Sequence, residues 1–351
     1  MSQSPVRIRN LGIVPGTIPP GPNNSITDVE GVMVGQVTLN EGADIRTGVT
    51  AIVPTQLRDR KMLPAGLFVG NGFGKLIGAT QLAELGAIET PIVLTGTLSA
   101  FKAADALVTW MLAQPGNAEM RTVNPIVGET NDGFLSDIRA RPIAEHHVLT
   151  ALKDARSGPV AEGAVGAGTG TSALGFKAGI GTSSRIMQQT DSLEQATIGV
   201  LVQSNFSGTL TVVGTPIDAE AALRANGAAS SHQDDTGGNS CMIVVATDAR
   251  IDGRQLGRLA KRAVFAMARV GADFSHGSGD YAIAFSTSDG TPIQDADLDP
   301  LFAAVMEATE EALLNSLFMA TTTAGFRDHV RYAVPHDFVQ NQLASHGRRL
   351  L

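Results

Sequence analysis

The sequence predicts a layered α/β fold, and it argues against a doubly wound parallel sheet. Three observations lead there. Apolar runs of strand length recur along the chain, amphipathic helices lie between some of them, and the two do not alternate strictly as βαβ units would. A chain of 351 residues with 43% hydrophobic and 17% charged residues can bury a large core. No composition shift marks an internal boundary, so residues 1–351 are expected to form one domain.

The elements follow in order. The first 45 residues are rich in turn formers, among them Pro15, Pro19, Pro20, Pro22, Asn23 and Asn24. Residues 48–55 (GVTAIVPT) and 63–72 (LPAGLFVGNG) read as strands. Residues 76–85 (LIGATQLAEL) read as a helix and 91–94 (PIVL) as a buried strand. Residues 99–112 form a helix that Ser99 can cap, with Ala103, Leu107, Trp110 and Met111 at helical spacing. Residues 198–203, 209–214, 241–247 and 281–286 are apolar, rich in β-branched residues and of strand length. Residues 255–270 form an amphipathic helix whose buried face is Leu256, Leu259, Ala263, Val264 and Met267. Asp299 followed by Pro300 marks a helix start, with the helix reaching about Phe318.

Charge and composition exclude several functions. The net charge of -8 gives no general attraction for nucleic acid or an anionic membrane. Cys241 is the single cysteine, so there is no internal disulfide and no cysteine metal site. The N-terminus lacks the apolar core of a signal peptide, and no apolar run is long enough to cross a bilayer. A cytoplasmic location is the expectation. The glycines at 166, 168 and 170 do not complete a GxGxxG pattern, and neither they nor the GNGFGK at 70–75 precede a GK[ST] motif. Neither a nucleotide nor any other cofactor is expected. His146 and His147 are adjacent and should diverge, while His232 and His276 lack further ligands nearby, so no metal is expected.

The junction Gly237-Gly238-Asn239-Ser240-Cys241-Met242 carries the chemistry. A flexible, polar stretch at 226–239 ends directly before a strand. Breakage of the bond before Ser240 would give that serine both a hydroxyl and a new α-amine. Such an amine has an ordinary pKa of about 7.7–8.0, close to the working range of a general base. One residue then supplies nucleophile and base together. The same hydroxyl can make the cut by attacking the Asn239 carbonyl and forming an ester that water hydrolyses. Cys241 falls on the opposite face of the strand and is read as core.

Seven stretches in one order resemble the DmpA-type peptidases, the L-aminopeptidase/D-esterases and β-aminopeptidases. They are 28–38 (DVEGVMVGQVT), 63–74 (LPAGLFVGNGFG), 128–137 (GETNDGFLSD), 162–185 (EGAVGAGTGTSALGFKAGIGTSSR), 202–206 (VQSNF), 237–242 and 315–323 (NSLFMATTT). The resemblance spans about residues 8 to 335. It implies an αββα sandwich, self-cleavage into an α subunit (1–239) and a β subunit (240–351), and homo-oligomers of αβ units. It implies hydrolysis of small peptides, amides or esters that releases the N-terminal amino acid through an acyl-enzyme on Ser240.

Site roles carry over one at a time. Ser278 and Asp280, in HGSGDY, resemble the family's Ser-x-acid pair that holds the nucleophile and its amine, although many β-aminopeptidases have glutamate where Asp280 stands. Asn205 resembles the oxyanion-hole asparagine, and Glu129 the carboxylate that binds the substrate's amine. A small peptide or amide is thus the expected partner. Two other readings are open: an acyltransferase like the ornithine acetyltransferases, which typically have threonine at the new N-terminus, and a non-catalytic scaffold.

Overall fold

The computed structural model describes residues 4–189, 194–228 and 239–347. In chain order the elements used below are β1 (Val32–Glu41), β2 (Ile45–Pro54), β3 (Leu63–Gly72), β4 (Leu76–Ile77), α1 (Ala79–Leu85), β5 (Ala87–Ile88), β6 (Ile92–Gly96), α2 (Ala100–Leu112), β7 (Ile126–Thr130), α3 (Glu145–Lys153), the short hairpin β8 (Ser172–Ala173) and β9 (Phe176–Lys177), and β10 (Ile180–Met187). They continue with β11 (Ala196–Asn205), the ribbon β12 (Thr211–Val212) and β13 (Thr215–Pro216), α4 (Ala219–Ala225), β14 (Ser240–Thr247), α5 (Gly253–Met267), β15 (Gly279–Ser286) and α6 (Asp299–Phe318).

Among the described residues these strands make two main sheets, ordered β1-β2-β6-β7-β4 and β10-β11-β14-β15-β3-β5. Pairing is antiparallel except for β6 with β7 and β14 with β15. Three cores show how the layers stack. Val49, Val93 and Val127 of the first sheet pack on Leu107 of α2 and Val148 of α3. Ile52, Leu94 and Ile126 meet Leu201, Val244 and Phe285 between the sheets. Val200, Ile243 and Ala284 pack against Leu259 of α5 and Val305 of α6. Strand alternation sends each strand's odd and even residues to different cores. The result is the expected αββα sandwich.

Glycines set the closest approaches. A methyl group at Gly181 would lie 1.9 Å from the Ala312 carbonyl of α6, and one at Gly170 would lie 2.0 Å from the Arg46 carbonyl. The glycine-rich block therefore lets backbone pack on backbone, and its last part is a buried strand, β10. α5 buries the predicted face. It begins with a capping box, in which Asp252 accepts from the Gln255 N–H at 2.7 Å.

Several local expectations need correction. Residues 32–41 are a full strand, although the turn formers before them dominate the reading of that region. Residues 76–85 do not form one helix: Leu76 and Ile77 pair with β7, and left-handed Gly78 separates them from α1. Ser99 makes no side-chain cap because it already lies in a 3-10 turn that runs into α2. Residues 209–214 hold only the two-residue β12, since left-handed Val213 and Gly214 turn the chain back into β13. Asp299 lies inside α6, after its N-cap. His146 and His147 do not diverge: their rings lie 3.9 Å apart, because His147 Nδ1 folds back to accept the Ala144 N–H. Gly237, Gly238 and His232 lie outside the described residues.

Candidate active site

The strand ends of both sheets converge at one edge of the sandwich. β14 starts at Ser240 and lies between the end of β11 and the start of β15. The register pairs Ser240 with Asn205 on one side and with Gly279 on the other. Ser240, Asn205, Ser278 and Asp280 are all buried. Met242 belongs to the inter-sheet core and Cys241 to the helix-side core, so Ser240 faces the space between the sheets. Burial, and then Asp280, push the Cys241 thiol well above its usual range. It is therefore no thiolate nucleophile.

With the Asn239–Ser240 bond intact, the Ser240 hydroxyl donates to the Asn239 carbonyl oxygen at 2.7 Å. The same oxygen accepts the Gly279 N–H at 2.9 Å. The hydroxyl thus lies against the peptide it would cleave, and a backbone donor already holds the oxygen on which charge would develop.

Gly279 and Gly74 carry the site from the second sheet to the first. A methyl at Gly279 would lie 3.1 Å from Ser240 Oγ and 2.7 Å from Gly74 Cα. A methyl at Gly74 would lie 3.4 Å from Glu129 Oε1. Tyr281 ties this line down by donating its phenol to the Gly74 carbonyl at 3.0 Å.

Glu129 is not a loop residue. It is the fourth residue of β7, opposite Thr95 of β6, and only 1% exposed. Its Oε1 accepts the Lys75 N–H at 2.7 Å, and the Lys75 ammonium lies 3.7 Å away. Oε2 is buried with no partner among the described residues. Burial raises the carboxyl's pKa, opposed by Lys75. An oxygen in that state favours a cationic guest.

Ser278 donates to Asp280 Oδ1 at 2.8 Å, and Asp280 Oδ2 is buried without a partner among the described residues. Asp280 stands opposite Cys241 in the register, so its carboxylate falls on the helix side of the sheet and the Ser240 hydroxyl on the other. Burial pushes its pKa up to about 6, against the hydrogen bond from Ser278. Asn205 Oδ1 accepts the Ser172 N–H at 3.1 Å.

The sequence matches the model of peptidase family S58 over residues 24–331. The chain belongs to peptidase family S58. It is 38% identical to the beta-peptidyl aminopeptidase BapA of Sphingosinicella microcystinivorans, over 94% of this chain and 90% of that protein. Among solved structures it resembles a Burkholderia sp. beta-aminopeptidase with 35% identity and a TM-score of 0.86, covering 98% of this chain and 100% of the other. The L-aminopeptidase D-Ala-esterase/amidase of Ochrobactrum anthropi, described as a variant of the Ntn hydrolase fold, matches with 34% identity and a TM-score of 0.87 over 98% and 99% of the two chains. As an S58 peptidase this protein is a hydrolase.

The candidate site includes groups that sequence reasoning missed. Gly279 offers its backbone N–H, which no side-chain motif reveals. Gly74 and Tyr281 lie between Ser240 and Glu129. Lys177 is buried three residues before β10, and only its place in the glycine-rich block pointed to that region. A cavity of about 500 Å³ lined by Met33, Trp110, Met111 and Leu152 lies on the outer side of the first sheet, away from Ser240. Among the described residues no helix is long and apolar enough to cross a membrane.

Proposed function

We propose that this S58 peptidase cuts itself between Asn239 and Ser240 and then works as an aminopeptidase with Ser240 as its N-terminal nucleophile. The observation that carries this reading is the double contact on the Asn239 carbonyl oxygen, from the Ser240 hydroxyl and the Gly279 N–H. In the cut, Ser240 Oγ bonds to the Asn239 carbonyl carbon and the C–N bond breaks. The nitrogen becomes the α-amine of Ser240, and water hydrolyses the ester. The products are chains 1–239 and 240–351.

Departure of Asn239 opens the Gly279 N–H to a substrate carbonyl. Ser240 Oγ then attacks that carbonyl and its proton passes to the α-amine. The oxyanion is held by Gly279 and the Asn205 amide, an effect commonly worth about 3 kcal/mol. The leaving amine takes the proton, and water releases the acyl group. Asp280 Oδ2, buried without a partner among the described residues, and Ser278 are assigned to hold the α-ammonium that forms during attack. Glu129 Oε2 is assigned to the substrate's ammonium, which restricts cleavage to the N-terminal residue. The aminopeptidase names of the relatives support this assignment. A homo-oligomer of αβ units and a cytoplasmic location complete the proposal.

The test is a pair of nitroanilides. The processed protein should release nitroaniline from a β-alanyl or alanyl nitroanilide and leave the N-acetylated compound intact. Equal hydrolysis of both would remove the amine requirement. Acetyl transfer from acetylornithine to glutamate without nitroaniline release would favour the acyltransferase reading instead.

A further inference from the structure

We propose that Lys177 is a positioning residue for Asn205 and acts through a single peptide unit, the one joining Thr171 to Ser172. The proposal rests on the reading of Asn205 as an oxyanion donor. The carbonyl of that peptide accepts from Lys177 Nζ at 2.8 Å, and its N–H donates to Asn205 Oδ1 at 3.1 Å. Cation, peptide and side-chain amide therefore form one line that ends at the residue paired with Ser240.

The local fold explains how the line is built. β8 and β9 form a two-residue hairpin in which Leu174 and Gly175 both have positive φ, as a tight turn of this type requires. The turn sets Lys177 opposite Ser172. The Lys177 side chain then reaches the Gly168 carbonyl at 3.1 Å and the carbonyls of Thr171 and Ala178. Three acceptors match the three N–H groups of an ammonium.

Lys177 is fully buried, and among the described residues no carboxylate lies within ion-pair distance of it. Burial lowers its pKa to about 7, Asp132 opposes this through charge at longer range, and the three carbonyl acceptors favour the ammonium form. A buried cation without a close counter-ion is costly, yet its position serves a definite end. The Ser172 N–H can only donate, so it fixes Asn205 with Oδ1 towards Ser172 and decides which end of the amide donates. The cation on the far side of the peptide polarises it and strengthens that bond. Loss of Lys177 should loosen the amide's orientation and weaken transition-state stabilisation, with little effect on substrate binding.

The test is a double-mutant cycle on processed protein with an amino-acyl nitroanilide. Lys177→Met and Ser172→Pro are each made alone and combined with Asn205→Ala. Each alone should lower kcat by about ten- to a hundredfold, below the 10²–10³ typical of losing an oxyanion donor outright, with KM unchanged. In the Asn205→Ala background neither should lower kcat further. Should Lys177→Met fail to fold or process, Lys177→Gln decides, since it keeps N–H donors for the carbonyls and removes the charge, whereas Ser172→Pro removes the N–H and also fixes φ. Full kcat in a folded single variant, or losses that multiply with Asn205→Ala, would overturn the proposal. Full kcat in Asn205→Ala itself would instead remove the oxyanion role of Asn205, and the proposal would fall with it.

Discussion

Gly279 and Ser240 are register partners on adjacent parallel strands, and the Gly279 N–H holds the carbonyl oxygen of the residue before Ser240 at 2.9 Å. A peptide bond is thus fixed between its proposed attacker and a donor for its oxyanion. The position also needs glycine for space, since a methyl there would lie 2.7 Å from Gly74 Cα. Gly279→Ala should slow self-cleavage, because the Gly74 backbone and the Ser240 hydroxyl must shift by several tenths of an ångström. Normal cutting by this variant, followed on a denaturing gel, would count against the Gly279 contact as part of the mechanism.

Glu129→Gln should separate processing from substrate binding. Self-cleavage uses no free amine, so the variant should cut normally. Losing a charge-assisted hydrogen bond to the substrate's ammonium should cost roughly 1.5–3 kcal/mol, or about ten- to a hundredfold in affinity. Much of this should appear in KM, because the ammonium is bound in both ground and transition states. Wild-type KM in a processed Glu129→Gln protein would return Glu129 to a structural role.

Asp280 sets an expected pH dependence. Burial raises its pKa to about 6, so it is neutral below that value and anionic above it. Only the anion can hold the α-ammonium formed during attack, and the new α-amine beside it favours that anion, so kcat/KM should show an acidic limb at or below about 6. Asp280→Asn should lose that limb and lower kcat. Stability runs the other way. A carboxyl with a raised folded pKa favours folding while protonated and loses that advantage as pH rises through the folded value. At pH 8 the variant should therefore melt no lower than the wild type. A limb near 6 that persists in Asp280→Asn belongs to another group.

Much of the fold was legible because strand-length apolar runs such as 241–247 and the α5 stripe give direct periodic signals. The layered arrangement came from the resemblance, since periodicity cannot say which sheet a strand joins. The glycine pair and the strand that follows drew attention to Ser240, and the resemblance gave it the proposed role of nucleophile. The resemblance singled out Glu129 but said nothing of its setting. GETNDG looks like a turn, but Ile126 and Val127 before it continue as a strand through Thr130 by pairing with β6. The roles proposed for Gly279 and the Thr171–Ser172 peptide rest on backbone groups, which every residue carries, so side-chain patterns could not single them out. Lys177 was hidden because a lysine in a glycine-rich stretch reads as solvent-exposed.

The central claim is the cut itself, and intact mass spectrometry of the purified protein tests it at one bond. Two chains should appear without added protease, the smaller beginning Ser-Cys-Met-Ile-Val-Val from Ser240, and Ser240→Ala should remain a single inactive chain. A wild-type protein that stays a single 36.4 kDa chain after prolonged incubation at neutral pH would contradict the account.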